Sequence, residues 1–154
     1  MRKIVLASAV AAIMASGAAA ADTTVYGKAH ASLTNSDAAD NWNVTSNASR
    51  LGFKGSEDLG NGMSAIYQYE LQYDVTDGGG VGGSNRNSFV GLKGGFGTVL
   101  MGRHDVPDKG AFYAAGNDHL GDSVIDLNGT LKFEENRVDN AIAYSSNDMN
   151  GLQF

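Results

Sequence analysis

Apolar and polar positions alternate along most of this chain with a period of two. In residues 49–74 the run Arg50-Leu51-Gly52-Phe53-Lys54 sets Leu51 and Phe53 against Arg50 and Lys54. After the turn residues Asp58 to Gly62, Tyr67, Tyr69, Leu71 and Tyr73 alternate with Gln68, Glu70, Gln72 and Asp74. Successive side chains of a strand point to opposite faces, so these are two strands, each apolar on one face and charged on the other. Residues 23–34 repeat the pattern, with Val25, Gly27, Ala29, Ala31 and Leu33 against Tyr26, Lys28, His30 and Ser32. Residues 86–104 read as two more strands around "GGFG", and "RVDNAIAYSS" as another before the turn "NDMNG". Helical periodicity is hard to find, and from residue 105 to 136 every periodicity fades.

The connections sort by length. Short turns are expected at 58–62, 94–97 and 147–151. Long polar connections are expected at 35–47, 77–85 and 105–136. An antiparallel meander with short turns at one rim and long loops at the other is the layout of an outer-membrane barrel. In that setting the apolar face meets lipid and the charged face lines a watery interior, because Arg50 or Lys54 at mid-depth in lipid would cost about 2–4 kcal/mol. A soluble β-sandwich would invert the faces and make Leu51, Phe53, Tyr67 and Leu71 its core. Alternation alone does not separate the two.

The first residues change this picture. Met1-Arg2-Lys3 followed by "IVLASAVAAIMASGAA" and a run of alanines reads as a secretory signal peptide over residues 1–21. The run is shorter than the roughly 20 apolar residues of a membrane-spanning helix. Loss of the two cations Arg2 and Lys3 takes the formal charge from −6 to −8. A chain this acidic argues against nucleic acid as partner, since phosphate binding needs a basic surface. With no cysteine there is no thiolate chemistry and no Cys-based metal site. Gly78, Gly80 and Gly83 satisfy the dinucleotide-binding spacing but precede a strand instead of opening a helix. His30, His104 and His119 lack metal-ligand spacing. His119 lies between acids and titrates near pH 6.5 if solvated. Glu134 and Glu135, adjacent on a chain, point apart rather than act as an acid–base pair. No nucleophile–base pair and no cofactor site emerges.

The blocks "TTVYGKAHASL", "SRLGFKGSEDLGNG", "AIYQYE", "FVGLKGGFGTVLMGR" and "RVDNAIAYSS" resemble, in this order, the N-terminal part of Gram-negative trimeric general-diffusion porins. The resemblance covers residues 23–154. It implies an all-β fold, a sixteen-stranded transmembrane antiparallel barrel, assembled as a homotrimer in outer-membrane lipid. It also implies passive passage of ions and small hydrophilic solutes. At roughly ten residues per strand, this chain supplies about six strands and the start of a seventh, and is expected to be a fragment that cannot close the barrel alone. The resemblance makes residues 105–136 the loop that narrows the pore. By motif position it implies a basic wall of Lys28, Arg50, Arg86 and Arg137, with Lys54 sharing the parity of Arg50. It sets Asp118 and Asp122 on the loop as the opposing acids. Arg103 is a candidate to face a neighbouring subunit. The overall charge suggests mild cation preference, subordinate to the local charges of the loop. The other functional class compatible with the pattern is a secreted soluble β-sandwich that binds carbohydrate through Trp42 and the tyrosines.

Overall fold

The computed structural model describes residues 22–36, 41–77, 81–116, 121–123 and 136–154. The signal-peptide expectation for residues 1–21 and the candidates Asp118 and His119 lie outside the described residues.

Among the described residues eight strands follow one another: β1 (Asp22–Lys28), β2 (Ala31–Ser36), β3 (Asn41–Ser46), β4 (Arg50–Gly60), β5 (Met63–Tyr73), β6 (Val81–Gly94), β7 (Gly97–Asp105) and β8 (Arg137–Ser145). A helix, α1 (Pro107–Ala114), follows β7 directly. Six strands form one sheet in the order β1-β4-β5-β6-β7-β8, all neighbours antiparallel. β2 and β3 form a separate hairpin inserted between β1 and β4. The sheet is therefore a meander that stays open, with β1 and β8 as its two edges.

Three expectations change in detail. The run 23–34 is broken after Lys28, where His30 and Ser49 exchange two hydrogen bonds: the His30 amide donates to Ser49 Oγ at 3.0 Å and Ser49 Oγ donates to the His30 carbonyl at 3.1 Å. The polar segment 35–47 is not all connection, because Asn41–Ser46 pairs with Ala31–Ser36. Its composition is polar, but Trp42 and Val44 share one face with Leu33, which is enough for a strand once a partner is in register. The connection 77–85 is likewise shorter, since β6 already begins at Val81.

α1 was not legible as a period of 3.6, yet its ends have local causes. Val106 is extended, as the residue before a proline prefers, and Pro107 then begins the helix where its missing N–H costs nothing. Asp108 in the first turn complements the helix dipole.

The sheet carries two unlike faces. Cross-strand register sets Thr23, Gly55, Tyr67, Val90, Met101 and Ile142 in one row. The next row on the same face is Val25, Phe53, Tyr69, Ser88 and Arg103. In these two rows Arg103, which pairs with Asp139, is the one charged residue. The opposite face carries Tyr26, Gly52 and Glu70 in one row and Lys28, Arg50 and Gln72 in another.

Among the described residues no hydrophobic side chain is buried. Ile142 is 77% exposed, Val25 60% and Met101 50%, and all lie on the apolar face. A β-sandwich would cover these residues with its second sheet. A barrel wall leaves them for lipid. No described helix is long and apolar enough to cross a membrane, a test that does not bear on strands.

Two tyrosines show how closely the strands are tuned. On the polar face the Tyr26 ring lies flat over Gly52, where an added Cβ would meet Cζ at 2.5 Å. On the apolar face Tyr67 lies over Gly55 in the same way, at 2.6 Å from Cζ. Each glycine lets an aromatic ring reach across to the next strand.

Candidate pore constriction

The polar face gathers its charges into one cavity of about 250 Å³, lined by Arg50, Glu70, Arg86, Asn87, Asp105, Lys109, Tyr113, Asp122 and Arg137. The strands deliver these side chains from widely separated parts of the chain. Arg50 starts β4, Glu70 lies on β5, Arg86 and Asn87 on β6, Asp105 ends β7, and Arg137 starts β8. All sit toward the rim of the long connections, where α1 also begins.

Glu70 is buried, and both carboxylate oxygens are used. Arg86 Nε donates to Oε1 at 2.5 Å and the Tyr26 hydroxyl donates to Oε2 at 2.7 Å. Gln68 Nε2 in turn donates to the Tyr26 hydroxyl oxygen at 2.8 Å. The run Tyr26–Glu70–Arg86 therefore crosses β1, β5 and β6 and fixes the Arg86 guanidinium.

Asp105 holds a second cluster. Its Oδ2 accepts from Asn87 Nδ2 at 2.6 Å, and its amide donates to Asn87 Oδ1 at 3.1 Å. Arg137 Nε lies 3.1 Å from Asp105 Oδ1 and donates to Asn87 Oδ1 at 3.2 Å. Lys109 Nζ lies 3.4 Å from the same Oδ1, with its side chain 5% exposed. Oδ1 is shielded from solvent and has no aligned hydrogen bond, so two cations compensate it by charge.

The loop segment 121–123 brings Asp122 against the wall. Its carboxylate lies 3.5 Å from Lys28 Nζ and 3.7 Å from Arg50 Nη1. These pairs are longer and more solvated than those of Glu70 and Asp105, so they are individually weaker.

Of the wall residues expected from sequence, Lys28, Arg50, Arg86 and Arg137 lie on this one face, and the last three line the cavity. Lys54 shares the face but does not line the cavity, and its ammonium lies 5.2 Å from the Tyr26 ring centroid. Arg103 lies on the opposite face and pairs with Asp139.

Sequence reasoning missed Glu70, Asp105 and Lys109. Glu70 had a signal, since it shares the polar parity of Gln68 and Gln72 on the strand beside Arg50. Lys109 had none without the helix.

The arrangement is an array of opposed fixed charges. Among the described residues, five cations, Lys28, Arg50, Arg86, Lys109 and Arg137, surround three carboxylates, Glu70, Asp105 and Asp122. The acidic whole therefore carries a locally basic site.

The comparisons with known proteins agree with this geometry. Residues 7–154 match the family model described as Gram-negative porin. The chain is 32% identical over 166 residues to the major outer membrane protein P.IB of Neisseria gonorrhoeae, covering 99% of this chain and 46% of that protein. It is 40% identical over 114 residues to P.IB of Neisseria meningitidis serogroup B, covering 67% of this chain and 34% of that protein. It thus spans less than half the length of these relatives. The structure is similar to an anion-selective porin from Comamonas acidovorans, with a TM-score of 0.68 and 26% identity over 86% of this chain and 45% of that one. The open meander is one stretch of a barrel wall, and the chain belongs to the Gram-negative porin family.

Proposed function

We propose that this chain is the N-terminal part of a water-filled outer-membrane channel for ions and small hydrophilic solutes. The supporting observation is the pairing of faces: an uncovered apolar face on one side of the sheet, and a solvated charged cavity on the other. Lipid accepts the first and water the second, and a closed barrel provides both. No catalytic step is needed.

In this reading residues 1–21 direct export, residues 105–136 form the constricting loop, and three copies assemble through the apolar face near Arg103. Lys28, Arg50, Arg86 and Arg137 form the wall, and Asp122 faces them from the loop, with Asp118 as a second acid. Fixed charges in a narrow aqueous passage raise the local concentration of counter-ions. The excess of cations around the cavity favours anions, against the cation preference suggested by overall charge. The similarity to an anion-selective porin supports the same direction.

The test is the purified full-length protein in a planar bilayer. Stepwise conductance with a zero-current potential of anion-selective sign is expected. A full-length protein that folds into the bilayer without conducting overturns the channel reading.

A further inference from the structure

The described stems of the connection between β7 and β8 meet at the Asp105 carboxylate. Asp105 and Arg137 are direct register partners at its two stems, and the Val106 amide donates to the Asn136 carbonyl at 3.3 Å just above them. One turn into α1, Lys109 reaches back to the same Asp105 oxygen that Arg137 approaches. The Lys109 side chain is packed away from water, its ammonium 5.6 Å from the Tyr113 ring centroid one turn further along the helix. A buried ammonium is expensive to maintain, so it persists only where a carboxylate and a ring face compensate it.

We propose that Lys109 is a positioning residue that pins α1 against the barrel wall through Asp105, so that one carboxylate sets both the depth of the constricting helix and the field of Arg137. This rests on the channel reading above. Without the ammonium, α1 loses this tie to the wall, and Asp105 neutralises Arg137 more completely. Loop position and ion selectivity thus become coupled. They would be independent if the helix were anchored only by its own ends.

The experiment uses the full-length protein in planar bilayers, comparing wild type with Lys109→Met, Lys109→Arg, Asp105→Asn and the Lys109→Met/Asp105→Asn double variant. Loss of one buried charge-assisted contact should raise the frequency of loop-dependent closures in Lys109→Met by about tenfold. The zero-current potential should move toward cations in the same variant. Lys109→Arg, which retains the charge, should restore both. The double variant should close no more often than Asp105→Asn alone, because both substitutions remove one interaction.

Unchanged closures and selectivity in Lys109→Met, or additive effects in the double variant, overturn the proposal. Lys109→Gln repeats the test with a shorter polar side chain if Lys109→Met does not assemble. If no charge-removing variant assembles while Lys109→Arg does, Lys109 is a folding residue and the proposal also falls. A wild type that gives no channel removes the reading beneath it, an outcome distinct from a conducting wild type whose variants behave alike.

Discussion

Replacing Asp122 by asparagine in the full-length protein removes one of the three carboxylates that face five cations among the described residues, with little change in shape. Its contacts at 3.5 and 3.7 Å are long and solvated, so the substitution acts on the field more than on stability. An ion passing about 6 Å from that carboxylate in water feels roughly 0.4 kcal/mol after screening over a Debye length of about 10 Å. The anion gains this amount and the cation loses it, so the difference is roughly 0.8 kcal/mol, about a fourfold rise in the anion-to-cation permeability ratio. In a tenfold salt gradient that corresponds to a displacement of the zero-current potential by roughly 20–30 mV toward the anion side. The assay is a planar bilayer with potassium chloride at two concentrations, and the effect should shrink as both are raised. A potential that does not move, or moves toward the cation side, refutes the placement of Asp122 beside the ion path.

Other substitutions test the wall itself. Glu70→Gln leaves the half-buried Arg86 guanidinium without its counter-charge and should cost about 1–3 kcal/mol, read as a lower temperature for conversion of the folded electrophoretic band to the unfolded one. Gly52→Ala drives a methyl into the Tyr26 ring and should cost about 1–3 kcal/mol in the same assay, because the ring must leave its bond to Glu70. Ile142→Arg places a cation on the apolar face and should lower folding stability in lipid vesicles by about 2–4 kcal/mol, if Ile142 lies at mid-depth. Ser56→Arg, on the polar face of β4 opposite Asp22, should fold with nearly wild-type stability, and equal penalties for the two substitutions would mean that the faces are assigned wrongly.

The period of two made β4, β5, β6 and β7 legible, because side-chain alternation is a property of one strand and needs no partner. It also placed Arg50 and Lys54 on one face, and Tyr67 and Tyr69 on the other. β3 escaped because "NWNVTS" is polar enough to pass for a connection, and only pairing with β2 makes it a strand. α1 escaped because its eight residues carry glycine and tyrosine where a helical stripe would show. The basic wall was legible only through the family resemblance, since parity orders residues within a strand and says nothing of register between strands.

What the sequence by itself determined is the two-faced strand, the order of the meander and the sign of each face, all local consequences of chain geometry and side-chain polarity. The tertiary structure decided which face is uncovered, because only the absence of a packed second sheet over Val25, Met101 and Ile142 in the described residues separates a barrel wall from a sandwich. It also decided that Arg50, Arg86 and Arg137 converge, and that Glu70, Asp105 and Lys109 hold the convergence together. Those contacts join strands far apart in the chain, and their register follows from hydrogen bonding between whole strands rather than from any local pattern.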